Sequence, residues 1–214
     1  MLDELDDQAL GKEAETLESF YAGVRARAEG IDNHDGRQTV ITELYERFFK
    51  KALPKTADAF GIVYTPIPVV DFILRATNDA LKEHFNTDLS AEGVQILDPF
   101  TGTGTFIVRL LQSGLIRPED LLRKYTSELH ANEILLLAYY IAAINIEAVY
   151  HGLQGGEYVP FEGICLTDTF QMYESDDLIS HYMPDNSERR KRQKATDIRV
   201  IVGNPPYSAG KRSE

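Results

Sequence analysis

Four short apolar runs, each ending in a polar residue and each separated from the next by a longer stretch, limit what this chain can fold into more than any other feature. They are "GVQILDPF", "LHANEI", "GICLTDTF" and "DIRVIVGNPPY". Strands alternating with helical stretches favour parallel pairing, with the helices laid over the sheet. The runs are apolar rather than strictly alternating, the pattern of strands buried on both faces. The last must stop at Asn204, because the prolines that follow have no N–H to give to a ladder. The expected fold class is therefore α/β, a Rossmann-like parallel sheet wrapped by helices.

Residues 1–60 read differently. Leu10, Ala14, Leu17, Tyr21 and Val24 fall at helical spacing with an acidic outer face, "IDNHDGRQ" interrupts, and a second helix runs through Val40, Leu44 and Phe48 to stop before Pro54. A small helical segment thus precedes an α/β domain over residues 61–214. That domain opens on "VYTPIPVVDFILRATNDALKEHF", with Thr65 as N-cap, Pro66 at the first helical position, and Val69, Ile73, Ala76 and Ala80 on one face. "TGTGTFIVRLLQSGL" is a glycine-rich turn entering a helix that Gly114 ends. "LLLAYYIAAINIEAVYHG" is a long apolar helix in which Tyr139 and Tyr140 serve packing. Between the third and fourth runs lies the polar "YESDDLISHYMPDNSERRKRQKATD", expected as a functional or mobile connection. Its basic "ERRKRQK" reads more readily as a solvated face than as a nucleic-acid contact.

At 214 residues and 43% hydrophobic, the chain is long enough to bury a sizeable core. No apolar run reads as a membrane span, and the acidic N-terminus is not that of a secretory signal. The single cysteine, Cys165, excludes an internal disulfide and reads as a core residue of the third strand rather than a nucleophile. The five histidines show no metal-ligand spacing, so no metal site is expected. A cytoplasmic protein follows. The net charge of −12 argues, taken alone, against a nucleic-acid surface.

In an open parallel sheet, ligands bind beyond the C-terminal ends of the strands. Asp98, Glu133, Asp168 and Asn204 all fall there. Gly102 and Gly104 in "DPFTGTGTF" permit close backbone approach at a helix N-terminus, or simply make a tight turn. The third glycine of a dinucleotide fingerprint is replaced by Ile107, and no Gly-Lys-Ser/Thr follows as in a phosphate loop. Asp98 before the turn would repel a pyrophosphate and welcome a cation. Glu133 suits the two hydroxyls of a ribose, although a glutamate favouring a helix start reads equally well; Glu128 precedes its strand and is the weaker candidate. Asp168 can accept from an exocyclic amine or cap a helix. Together they describe an adenosine with a cationic tail, S-adenosylmethionine rather than a dinucleotide.

"DPFTGTGTF" followed by "NPPY" resembles the N6-adenine DNA methyltransferases, which share the pair D-P-x-x-G-x-G and [DNS]-P-P-[YFW]. The order, with "VYTPIPVVDFILR" ahead of the glycine loop, resembles their γ arrangement, and the span from Tyr64 to Tyr207 looks most like the methyltransferase region of large single-chain restriction–modification enzymes. "NEILLLAYYIAA" is similar to that group's second motif. The resemblance implies an S-adenosylmethionine-dependent methyltransferase fold. It places Tyr64 and Thr65 at the methionine carboxylate, Asp98 at its ammonium, Glu133 at the ribose and Asp168 at the cofactor adenine. Phe100, Gly102 and Gly104 complete the cofactor loop, while Asn204, Pro205, Pro206 and Tyr207 receive the target base. DNA is the implied partner, with helicase or nuclease domains upstream. The chain stops at Glu214, so it is expected to be a fragment whose remaining strands, aromatic wall and target-recognition domain lie elsewhere.

The residues suit the chemistry. Adenine N6 is a poor nucleophile because its lone pair is delocalised into the ring. The Asn204 side-chain oxygen and the Pro205 carbonyl could each accept one N6–H and free that lone pair as positive charge develops. The target must be flipped from the duplex, and Tyr207 would stack on it. Two other readings stand beside this one. An N-methyltransferase acting on a glutamine amide or on RNA faces the same conjugation problem, and a cofactor-binding fragment would have no turnover.

Overall fold

The computed structural model describes residues 65–170 and 184–206, which lie within one unit, Thr65–Pro206. The helices expected over residues 1–60, together with Tyr64 and Tyr207, lie outside the described residues. Helix α1 (Ile67–Phe85) starts one residue later than expected. Pro66 takes φ −56° and ψ 135°, an extended conformation, so Pro66 and not Thr65 occupies the cap, and no side chain bonds there. The buried face is also rotated: Val70, Leu74 and Asn78 point inward, while Val69, Ala76 and Ala80 are exposed. Polar anchors set that rotation. Asp71 forms a two-bond pair with Arg109 at 2.9 and 3.0 Å, and Asn78 Oδ1 accepts from Leu89 N at 3.1 Å.

The strands are β1 (Gln95–Asp98), β2 (Leu129–Glu133), β3 (Ile164–Leu166) and β4 (Ile198–Ile201), all parallel, in the order β3-β2-β1-β4. After β1 come α2 (Thr105–Gln112), a 3₁₀ turn over Pro118–Asp120, the single turn α3 (Leu121–Arg123) and a π turn over Lys124–Glu128. Helix α4 (Leu136–Gln154) joins β2 to β3, and α5 (Pro184–Ala195) precedes β4. Gly114 adopts φ +73° just beyond α2, the left-handed stop expected of it. The crossovers through α2 and α4 advance in one direction, so right-handedness sets both helices on one face, where they pack on each other. The fourth strand then turns back to the far side of β1. The strand order therefore reverses between β1 and β4, the switch point beside which open parallel sheets bind ligands.

Burial departs from the expected two-sided pattern in the outer half of the sheet. Strand β3 is buried throughout and β2 nearly so, whereas in β4 only Val200 is buried and Ile201 is 67% exposed. Ile96 and Val200 are register partners and both are buried, while in the next pair Leu97 is half-buried and Ile201 exposed. The polar connection before β4 is not structureless: its basic run is part of α5, which lies against β3.

By length and composition α4 is apolar enough to cross a membrane, contrary to the expectation of no such run. Its Ala138, Tyr139, Ala142, Ile146, Val149 and Tyr150 are buried, whereas Leu136, Leu137, Ile144 and Leu153 are exposed, so the helix packs by one face. Tyr140, expected to serve packing, is exposed as well. Tyr150 stacks on Tyr125 at 3.6 Å, and the Tyr125 hydroxyl donates to Val159 O at 2.8 Å.

The approach to β1 is held by a buried cation. Lys124, wholly buried, donates to Ala91 O, Val94 O and Glu128 Oε2, each at 2.8 Å, which uses all three of its protons. Glu128 in turn accepts from Gly93 N at 2.8 Å and pairs with Arg123. The weaker ribose candidate is thus a structural carboxylate. Lys124→Met is expected to cost about 3 kcal/mol, because it breaks a buried pair and strands two carbonyls. Urea unfolding at neutral pH checks this, and a loss under about 1 kcal/mol would contradict the assignment.

Candidate active site

Three of the four polar strand tips converge around the loop after β1, and the fourth, Asn204, follows the glycine that touches it. Asp98 ends β1 and is fully buried. Its Oδ1 accepts from Phe100 N at 3.1 Å, whereas Oδ2 has no hydrogen-bond partner among the described residues. Burial pushes its carboxyl up to about 7, with the Phe100 N–H and the Thr101 side chain opposing the shift and the neighbouring Glu133 charge adding to it. The tip of β4 passes directly over this group: a Cβ on Gly203 would stand 2.7 Å from Asp98 Oδ1. Only glycine fits there, and Asn204 follows it at once. The "DPF" and "NPP" segments thus share one wall.

Glu133 fastens the glycine loop. Its Oε2 accepts from Gly102 N and its Oε1 from Leu135 N, both at 2.8 Å. Burial raises its pKa, and these backbone N–H groups hold it down. The loop then meets α4. Gly104 has φ +90°, and a Cβ on it would approach Ala142 and Ile146 to 3.3 Å. Asn145, one turn along from Ala142 and buried, donates through Nδ2 to Thr103 O at 2.9 Å. Ala142, Asn145 and Ile146 form one stripe of α4 against which the loop is set.

Beyond β3, Asp168 is half-buried, and its Oδ1 accepts from Phe170 N at 2.9 Å. It caps no described helix; it closes a local turn. Thr169 Oγ1 donates to Pro99 O at 2.7 Å and receives Asn132 Nδ2 at 3.3 Å, which joins the third tip to the first. Phe170, 75% exposed, lies 5.3 Å from the Phe100 ring. Ile134, beside Glu133, is also exposed.

Thr65 stands just ahead of α1. Asp71 and Arg109 each lie one turn in from the start of their helix, and their pairing ties the first turns of α1 to α2. Pro205 and Pro206 are exposed and Asn204 is half-buried. Tyr64 and Tyr207 fall outside the described residues. Sequence reasoning missed Gly203, Ile134, Phe170, Thr169 and Asn145. A polar residue inside the otherwise apolar α4 was the one available signal for Asn145. Among the described residues no group of histidines, cysteines and carboxylates could hold a metal ion.

A glycine loop at a helix start and two buried carboxylates thus lie at the C-terminal ends of the strands, beside the point where the strand order reverses, which is where open parallel sheets bind ligands. The chain belongs to the N-6 DNA methylase family, whose model matches residues 36–214. Among solved structures it is similar to DrdV in complex with DNA, at 42% identity over 94% of this chain and TM-score 0.84. It is similar also to the Type ISP restriction-modification enzyme LlaGI with a DNA substrate mimic, at 51% over 95% and TM-score 0.76. The ATP-dependent Type ISP enzyme LlaBIII bound to DNA matches at 53% over 94%, with TM-score 0.77. The chain spans 20%, 17% and 14% of the length of those three chains. No curated protein matches it.

Asp98 gives a stability signature independent of any ligand. Its folded-state pKa lies above its ordinary value of 3.8, so its contribution is fully present at low pH and is lost as pH rises through about 7. Asp98→Asn is expected to raise the melting temperature by several degrees at about pH 8, with the difference fading toward about pH 4. A variant less stable than the parent at the higher pH would contradict the buried, unpaired carboxylate.

Proposed function

We propose that this chain is the cofactor-binding and catalytic-motif part of a methyltransferase acting on adenine N6 in DNA, within a restriction–modification enzyme. The observation that carries the reading is the open oxygen of Asp98, buried beneath Gly203 and next to the Asn-Pro-Pro tip. A buried carboxylate with one oxygen left open favours a cation beside it, and the α-ammonium of S-adenosylmethionine is one. The DNA complexes of DrdV, LlaGI and LlaBIII support DNA as the substrate.

The residues fit the cofactor. Asp98 would hold the ammonium, with Thr65 near the carboxylate end. The free lone pairs of Glu133 would take the ribose hydroxyls while its bonds to Gly102 and Leu135 persist. Asp168 would accept from the adenine amine, and Ile134, Phe100 and Phe170 would supply apolar walls for the ring. S-adenosylmethionine, when bound, supplies an electrophilic methyl group. The chain does the rest by orientation. The Asn204 side-chain oxygen and the Pro205 carbonyl accept the two N6–H bonds of a flipped adenine, which turns its lone pair outward. They then stabilise the positive charge that grows on N6 during attack. Holding both partners in line removes much of the entropic barrier.

Calorimetric titration tests the cofactor reading. The chain is expected to bind S-adenosylmethionine and not NAD, whose pyrophosphate Asp98 repels. Because the free carboxyl titrates near 7, affinity rises as pH increases toward that value, and Asp98→Asn removes this dependence. NAD binding of equal strength, or a dependence that survives in Asp98→Asn, would defeat the reading. Asn204→Ala is expected to keep cofactor affinity within about twofold and lose at least about 10²-fold in methyl transfer to DNA. Transfer to RNA or to a glutamine peptide in place of DNA would reassign the acceptor.

A further inference from the structure

Strand β3 is one of the two edge strands among the described residues, paired only with β2. Its last residue, Leu166, is buried, so its backbone N–H and C=O need partners that no second strand provides. Asn186, in the first turn of α5 and 2% exposed, supplies both. Its Oδ1 accepts from Leu166 N at 2.8 Å and its Nδ2 donates to Leu166 O at 3.0 Å. One amide thereby does for Leu166 what a neighbouring strand would do. Helix α5 has other anchors, since Arg189 donates to the Tyr139 hydroxyl at 3.0 Å and Arg192 pairs with Glu162 at 2.9 Å.

The position of that clasp matters more than its contribution to stability. Leu166 stands two residues before Asp168. Between them Thr167 N donates to Glu133 O at 2.8 Å, and just after Asp168 the Thr169 hydroxyl donates to Pro99 O. Asp168 therefore sits in a loop fixed on its inner side by β2 and the β1 loop, and on its outer side by Asn186. We propose that Asn186 is a positioning residue for recognition of the cofactor's adenine, holding the β3 tip where Asp168 meets the adenine amine. The inference rests on the assignment of Asp168 above and adds to it a residue of the polar connection.

The test titrates the full chain with S-adenosylmethionine and with its analogue bearing hydrogen in place of the 6-amino group. The unaltered chain is expected to prefer the amine by about tenfold, as one hydrogen bond to a charged group allows. Asp168→Ala removes that preference. Asn186→Asp and Asn186→Ala reduce it to within about threefold, and combining either with Asp168→Ala takes away no more. Asn186→Ala carries the test if the aspartate, facing the Leu166 carbonyl, prevents folding. Loss of affinity for both ligands alike in the Asn186 variants, with the preference intact, would overturn the proposal and leave Asp168 its role. A preference that survives Asp168→Ala, or no binding of either ligand, would remove the Asp168 assignment and the proposal with it.

Discussion

The arrangement of the whole C-terminal edge depends on the carboxylate of Glu133 accepting from Gly102 on one side and Leu135 on the other. Through these two bonds one residue of β2 fixes the loop after β1 and the entry to α4. Through its own carbonyl, which receives Thr167 N, it also fixes the end of β3. Burying a charge is costly unless it is met by donors, and here the donors are the backbone groups whose placement the site requires. The glycine loop is consequently formed before a ligand arrives, so ordering it is no part of the free energy of binding.

The two buried acids differ in a way that separates structure from function. Glu133 is satisfied within the chain, and its charge is held by fixed dipoles. Asp98 has one oxygen bonded to Phe100 N and the other without a described partner. Such a group weakens the ligand-free fold and strengthens attraction for a cation, the familiar opposition between stability and activity at a binding site. Lys124 and Glu128 show the other solution: each meets the other inside a closed set of bonds, and nothing is left to attract a ligand.

Much of this edge was legible in the residues because an apolar run that ends in a polar turn marks a strand tip, and Asp98, Glu133, Asp168 and Asn204 all stand at such ends. The face of α1 was not legible. Small residues such as Ala76 and Ala80 fit either side of a helix, and the rotation is set by Asp71 and Asn78, polar residues whose partners Arg109 and Leu89 are distant or beyond the helix. The expectation of two-sided burial failed at β4, where Arg199 interrupts the apolar run of Ile198–Ile201 and stands exposed together with Ile201. Asn186 was invisible for a different reason. An asparagine inside a charged, polar stretch carries no periodic signal, and its bonds to Leu166 arise only once α5 has been laid against the sheet. Gly203 likewise acquires meaning only when the carboxylate beneath it is in place.

The single cysteine of the chain lies inside the strand that Asn186 holds. Cys165 is buried between Ile164 and Leu166, and burial pushes its thiol up to about 12, so in the closed structure it is shielded and protonated at once. A thiol reagent can reach it only while β3 is parted from its neighbours. The labelling rate then measures how often that edge opens, a native clock for local unfolding that needs no introduced probe.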